Sequence, residues 1–372
     1  MHTCDALIIG GGPAGSTCAA HLRRGGLDVL VLDKREFPRD KTCAGWITPA
    51  VVDELGLDIA EYSASRTFQP ITGFRTGLIG ARTVYTGYDR PVSYGIRRCE
   101  FDDYLLRRSG ARLMLGERVE SIERSGPGWV VNGSISSPLL IGAGGHFCPV
   151  ARMLGPPAAK ELVVAAQEIE FQMDERQARE CGVSASVPEL YFCPDLKGYG
   201  WCFRKGRHLN VGLGREDSVR LADHAAAFCA LMKSQGRIPA DTPTKLHGHA
   251  YILYGHSPRP LAEEGVLLVG DAAGLAYAES GEGIRPAIES GLLAAQTVLD
   301  ARGDYSAPAL RAYNDKIIAR FGDRTAPPQP APAIAAVKEW AAAFLLSTRW
   351  FSRRVLLEHW FLHIQQPALV AR

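Results

Sequence analysis

The run Asp5-Ala-Leu-Ile-Ile-Gly-Gly-Gly-Pro-Ala-Gly15 constrains this chain more than any other stretch. Ala6 to Ile9 are apolar without a break, the pattern of a strand buried on both faces of a parallel sheet. Gly10, Gly12 and Gly15 follow at the G-x-G-x-x-G spacing. The first glycine permits a tight turn, the second lets a pyrophosphate approach the backbone, and the third lets the next helix pack on the strand. That helix is predicted over residues 13–24, with Pro13 and Ala14 in its first turn and Gly25-Gly26 at its end. Its free N–H groups and dipole face an anion. A second strand, 28–32, stops at Asp33, followed by Lys34. A ribose-binding acid belongs about 20 residues beyond such glycines. The order strand, glycines, helix, strand, acid predicts a dinucleotide-binding βαβ unit. The alternative is a Gly-rich turn in an ordinary βαβ unit.

The chain of 372 residues is long enough for about two domains. A net charge of +2 argues against a dedicated nucleic-acid binder. Nine cysteines are scattered, with no CxxC pair and no His–Cys ligand spacing, so no metal site is expected. An odd count, with no signal-peptide pattern ahead of the first strand, favours reduced thiols and a cytoplasmic protein. No window of about 18 apolar residues predicts a membrane-spanning helix.

Beyond Asp33 a polar loop leads to Thr42-Cys43-Ala44-Gly45-Trp46 and a short helix over 49–55. Residues 66–96 read as antiparallel strands leaving the nucleotide-binding part. A helix starts near Arg98, strands follow at 113–122 and 129–131, and 138–142 fits the last strand of the nucleotide-binding sheet. Strands at 162–171, 190–214 and 245–253, with a helix at 218–233, predict an inserted antiparallel sheet. Gly265-Val-Leu-Leu-Val-Gly270-Asp271 returns to the parallel style and ends in an acid. Ser280-Gly281-Glu282-Gly283-Ile284 precedes a helix over 285–301 whose apolar face is Ile288, Leu292, Ala295, Val298 and Leu299. The Pro-rich stretch 325–332 ends any helix before a tail of two short helices broken near Ser347.

One N-terminal fingerprint paired with a distant strand–Gly-Asp turn is how a flavin is held, gripped at its ADP half and again at its ribityl chain and ring. The fold class is therefore α/β, with a Rossmann-like FAD-binding domain and an inserted antiparallel β-sheet substrate domain. The expected division is 1–65, 97–158 and 254–322 for FAD, 66–96 and 159–253 for substrate, and 323–372 as a helical C-terminal segment.

Several motifs carry a resemblance. Arg98, Phe101, Asp102 and Leu105 meet an Arg-x-x-Phe-Asp-x-x-Leu pattern. Gly270 to Gly274 meet GDAAG, and Gly281 to Ile284 meet GEGI. Tyr199-Gly-Trp201-Cys-Phe203-Arg204-Lys205 meets Tyr-x-Trp-x-Phe-Pro-Lys, with arginine in the proline position. Cys43-Ala44-Gly45 stands for Cys-Gly-Gly, and Gly142-Ala143-Gly144-Gly145 for Gly-Ala-Asp-Gly without its aspartate. In these motifs the chain resembles the FAD-dependent geranylgeranyl reductases of the p-hydroxybenzoate hydroxylase fold, relatives of flavin monooxygenases and halogenases. The likeness covers roughly residues 1–320 by motif order.

The resemblance implies non-covalent FAD. Gly10, Gly12, Pro13, Ala14 and Gly15 would hold the pyrophosphate, with Arg98 reaching it through its guanidinium fork. Asp33 and Lys34 would lie at the adenosine ribose, and Gly270 and Asp271 at the ribityl chain. Gly281, Gly283 and Ile284 would lie at the ring edge, with the following helix aimed at N1/O2. Cys43, Ala44 and Gly45 would lie on the reactive face, and Cys43 would donate a proton. The alternative for Cys43 is a small apolar filler. Tyr199, Trp201 and Phe203 share one strand face and, with Trp46, would wall a substrate pocket or serve as sheet core. Glu279 and Glu282 either tune the ring or cap the helix after it. The tail from Trp340 to Ile364 would lie on a membrane surface, roof a lipid tunnel, or pack on its own domain.

The function implied is reduction of a carbon–carbon double bond on an apolar, prenyl- or lipid-like substrate. The competing functions are oxygen activation by a monooxygenase of a small molecule and electron carriage without catalysis. Halogenases carry Trp-x-Trp-x-Ile-Pro where this chain has Tyr199 to Arg204, which disfavours halogenation. With no second dinucleotide fold, the electrons would come from NAD(P)H docking transiently or from a partner reductase. Nothing in the sequence sets the oligomeric state.

Overall fold

A computed structural model describes residues 1–155, 163–217, 219–257, 259–324, 341 and 343–369. The Pro-rich stretch 325–332 and Trp340 lie outside them. Ala6–Ile9 is fully buried between Val29–Asp33 and Leu139–Gly142, parallel to both. These strands centre a six-stranded sheet in the order Ala262–Glu263, Val266–Leu268, Leu139–Gly142, Ala6–Ile9, Val29–Asp33, Arg112–Leu115. Leu139–Gly142, expected at the end of this sheet, is interior to it, because Val266–Leu268 pairs on its far side. The strand expected over 113–122 is two strands that serve different sheets. Arg112–Leu115 joins the parallel sheet, whereas Ile122–Ser125 joins a four-stranded one.

Helix α1 (Pro13–Arg24) leaves the glycine turn as predicted. Helix α2 (Pro49–Leu55) and helix α3 (Arg98–Arg108) flank the cysteine loop. Within 66–96 only Gly73–Leu78 and Val84–Gly87 join the large sheet. Ser93–Ile96 pairs instead with both Phe68–Ile71 and Trp46–Ile47 in a three-stranded sheet that backs the cysteine loop.

The large sheet has seven strands, with Val163–Gln172, Gly198–Lys205 and His208–Arg215 at its centre. Helix α4 (Leu221–Ser234) covers one face, burying Ile169, Cys202, Val211 and Leu213. Strand alternation therefore sends Glu168, Glu170, Tyr199, Trp201, Phe203 and Asn210 to the other face, toward the cysteine loop and the Ser280 turn. Helix α5 (Ile284–Asp300) buries its apolar stripe against α1. At their crossing a Cβ on Gly291 would stand 2.5 Å from the Ala14 carbonyl, so only glycine lets these backbones touch.

Candidate functional site

The first glycine turn is closed on the helix side and open at its mouth. A Cβ on Gly15 would collide with the Gly10 carbonyl, whereas one on Gly12 would meet only Arg39 Nη2, at 3.5 Å. Asp33 ends its strand half-buried, its Oδ2 accepting from the Gly11 amide at 2.7 Å and its Oδ1 from the Arg35 amide at 2.9 Å. Lys34 beside it is exposed. Arg98 gives Nε and Nη2 to Asp102, each at 2.8 Å, and Arg39 reaches the same carboxylate at 3.2 Å. Burial alone would weaken the Arg98 cation, but Asp102 and Cys43 hold it firmly protonated. Two guanidiniums sharing one carboxylate leave a net positive charge near the α1 N-terminus, which suits a diphosphate.

The second glycine turn abuts the first. Gly270 has φ +61°, and a Cβ there would lie 3.0 Å from Ala14 Cβ. Asp271 follows in the short turn Gly270–Ala272, with Oδ2 3.4 Å from His249 Nε2. Lys41 Nζ lies 2.5 Å from the same nitrogen. Burial pushes the Asp271 acid up, but His249, Lys41 and Arg98 together take it down to about 2, so it is a carboxylate. Burial draws Lys41 down to about 8 and keeps His249 below its usual value.

The Ser280–Ile284 turn completes this wall. Tyr199 Oη donates to the Ser280 carbonyl at 2.6 Å, which ties the large sheet to the turn. Gly281 has φ +69°, and any Cβ there would collide with Tyr251 Oη. Gly283 caps α5 with no side-chain hydrogen bond. Glu282 beside it lies against the Arg285 amide, as a capping acid would, without a hydrogen bond of full geometry. Neither carboxyl oxygen has a hydrogen-bond partner, and burial pushes the acid up to about 8 despite the pull of Arg285. Glu282 is a buried acid that keeps its proton at neutral pH.

The cysteine loop is fastened from across the interface. The Cys43 amide donates to Glu168 Oε1 at 2.6 Å, and the Cys43 carbonyl accepts from Asn210 Nδ2 at 3.2 Å. Asn210 is oriented by Trp201, whose Nε1 donates to Asn210 Oδ1 at 2.7 Å. Lys205 Nζ donates to the Ala44 and Ile96 carbonyls, both at 3.0 Å, and to Glu170 Oε2 at 2.6 Å. Gly45 turns the chain at φ +71°. Cys43 itself is partly exposed, with its thiol beside Arg98.

An aromatic surface continues from this loop. Trp46 lies 5.7 Å from Phe203 and 5.4 Å from Phe74 between ring centroids, and Tyr199 lies 6.0 Å from Trp201. The tail helix Ser352–Phe361 roofs it, with Phe361 5.9 Å from Trp46 and 5.4 Å from Tyr199. Leu356 and Leu357 are buried in the same cluster. The tail is therefore packed on its own chain.

The structure gathers Gly10, Gly12, Ala14, Asp33, Cys43, Arg98, Gly270, Asp271, Gly281 and the four aromatic residues around one interface. Sequence reasoning passed over Arg39, Lys41, Glu168, Glu170, Asn210, His249 and Tyr251. Two glutamates on the same face of a largely apolar strand, Val-Val-Ala-Ala-Gln-Glu168-Ile-Glu170, were the one local signal. Two touching glycine turns, a Gly12 mouth open under a cation, and a nearby anionic Asp271 fit FAD.

The NAD(P)-binding Rossmann-like domain family matches residues 8–69. The menaquinone reductase of Mycobacterium tuberculosis is 30% identical over 328 residues, covering 81% of this chain and 77% of that protein. Digeranylgeranylglycerophospholipid reductase 1 of Methanothermobacter thermautotrophicus is 28% identical over 345 residues, covering 86% of this chain and 83% of that protein. Among solved structures, a geranylgeranyl bacteriochlorophyll reductase-like protein from Thermoplasma acidophilum superposes with a TM-score of 0.73 at 23% identity, covering 93% of this chain and 88% of that one. The flavin-dependent brominase Bmp2 gives 0.72 at 17% identity, covering 97% and 93%. The two solved structures share the fold.

Proposed function

The chain belongs to the geranylgeranyl reductase family of FAD-dependent oxidoreductases, and on that footing we propose that it saturates an isolated carbon–carbon double bond in a long apolar, prenyl- or lipid-like substrate. The observation that carries this reading is Cys43. Its thiol borders Arg98 while buried side chains of the large sheet fasten its backbone at both ends. A thiol so placed delivers a proton to one alkene carbon. FAD, once reduced, supplies the hydride for the other carbon. The names of the two reductase relatives, a quinone and a polyprenyl phospholipid, support an apolar substrate.

On this reading the residues take the following roles. Gly10, Gly12, Pro13, Ala14 and Gly15 receive the pyrophosphate, with Arg39 and Arg98 above it. Asp33 and Lys34 lie toward the adenosine ribose. Asp271, kept anionic by Lys41 and His249, accepts a ribityl hydroxyl. Gly281, Gly283 and Ile284 border the ring edge. Trp46, Tyr199, Trp201 and Phe203 line the substrate side. NAD(P)H or a partner reductase supplies the electrons. Phe344, Leu345 and Trp350 are exposed on the tail near Arg349, which supports a peripheral contact with the membrane that stores such substrates. Among the described residues no helix is long and apolar enough to cross a membrane.

The test is to reduce the purified flavoprotein without oxygen and mix it with oxygen or with polyprenyl lipid. Alkene-dependent reoxidation with a slow oxygen reaction is the expected result. Rapid, substrate-stimulated formation of a peroxyflavin absorbance would replace reduction by oxygenation.

A further inference from the structure

The acid that holds the Cys43 amide has a second oxygen that the account above does not use. Glu168 is 4% exposed on Val163–Gln172. Its Oε1 accepts the Cys43 amide, whereas its Oε2 is buried with no hydrogen-bond partner. The titratable and charged groups around it come from every neighbouring element. Glu170 shares its strand face, Lys205 comes from the adjacent part of the sheet, and His247 pairs with it in register. Cys43 lies across the interface, with Arg98 and Lys41 behind it.

The nearby cations are already engaged. Lys205 is held by Glu170 at 2.6 Å, and Arg97 reaches the same carboxylate at 3.2 Å. Arg98 is held by Asp102. Among the described residues no cation forms an ion pair with Glu168; burial and the neighbouring Glu170 raise its acid and outweigh Lys205 and Asn210, which pull it down.

We propose that Glu168 is a positioning residue for Cys43: its carboxyl fixes the cysteine backbone, and the presence or loss of its proton sets the charge standing next to the thiol. The inference rests on Cys43 as proton donor. Burial, the largest influence, pushes Glu168 up to about 7, so this charge changes within the working range of a cell. When Cys43 gives up its proton, the S–H bond breaks, a C–H bond forms and a thiolate is left, which then regains a proton from water. A neutral Glu168 tolerates that thiolate. An ionised Glu168 opposes it.

Glu168→Gln keeps an oxygen for the Cys43 amide and removes the ionisable proton. The readout needs no substrate: the rate of Cys43 alkylation by iodoacetamide, resolved by peptide mass spectrometry on FAD-loaded protein at pH 6 and pH 8.5. Wild type and E168Q should react alike at pH 6. At pH 8.5 E168Q should react several-fold faster, because it lacks the carboxylate charge that opposes a thiolate. Equal rates at both pH values, or a difference already present at pH 6, overturn the proposal. Should E168Q lose its flavin absorbance, wild-type alkylation across the pH range decides instead. A second inflection near 7 supports the proposal, and a smooth single-group titration overturns it. Turnover of Cys43→Ala is measured alongside. Full turnover there removes Cys43 as donor and leaves the alkylation result to judge Glu168 separately.

Discussion

Replacing Lys205 by methionine tests the fastening of the cysteine loop most directly. The side chain is 1% exposed, and its three N–H donors are all used, on Ala44 O, Ile96 O and Glu170 Oε2. Methionine fills a similar volume, so cavity terms are small. Removing one partner of a buried ion pair costs about 3–5 kcal/mol. The orphaned carbonyls add about 1 kcal/mol each if water does not reach them. Glu170 retains Asn210 at 3.0 Å and Arg97 at 3.2 Å, which favours the lower half of that range. At about 1.3 °C per kcal/mol for a chain of this size, the melting temperature should fall by roughly 4–8 °C. The assay is thermal and urea unfolding of wild type, K205M, E170Q and the double variant. The cycle should show a coupling of about 1–3 kcal/mol, with the double variant less damaged than the sum of the singles. K205M melting within about 1 °C of wild type, with no coupling, would refute the claim that this lysine holds the loop.

Two further predictions probe the cofactor turn and the charged cluster behind it. Gly281→Ala places a side chain at φ +69° and against Tyr251 Oη. It should cost about 1–2 kcal/mol in backbone strain and loosen FAD, measured by flavin fluorescence on dilution. Adding Tyr251→Phe should recover part of the loss, and unchanged FAD affinity in G281A would contradict the assignment. Glu54 and Glu289 are both buried beside Arg285, which lies 3.4 Å from Glu54 and 2.8 Å from Glu289. Burial and then Glu289 raise the Glu54 acid well above its ordinary value, so Glu54 is the neutral member at pH 7. Glu54→Gln should not lower stability at pH 7, whereas Glu289→Gln should cost about 3–5 kcal/mol. The unfolded chain releases the Glu54 proton near pH 4.5 and the folded chain keeps it. Wild-type stability therefore declines as pH rises above that value, and E54Q, lacking the decline, should gain on wild type between pH 5 and pH 8 in urea unfolding.

The nucleotide half of this molecule was legible because its signals are local. Glycine spacing, a bounding acid and a helix stripe each lie within one stretch of chain, and α1 formed over its predicted span. The inner position of Leu139–Gly142 was not legible, since strand order depends on which distant segment pairs outside it. The fastening of Cys43 was hidden for the same reason. Glu168, Lys205 and Asn210 meet the loop across more than 120 residues, and each reads alone as a polar residue on a strand. Lys205 even stood inside a recognised motif, with nothing local to show that its three hydrogen bonds end on the opposite half of the chain. Glu282 misled in a different way. An acid just before a helix suggests a cap, but its burial depends on the large sheet, whose Tyr199 stands near it.

The far end of the described chain also bears on α5. Arg285 donates to the Gln366 and Pro367 carbonyls at 2.9 and 3.1 Å, Arg320 donates to Pro367 at 2.9 Å, and the Leu369 amide donates to Glu54 at 3.2 Å. The last turn of chain is thus a rivet through α2, α5 and the helix carrying Arg320. Anyone recombining this protein with a relative must move those pieces together. A hybrid that borrowed only the terminal peptide would strand two arginines and two glutamates in a dry seam, right behind the helix that faces the cofactor turn.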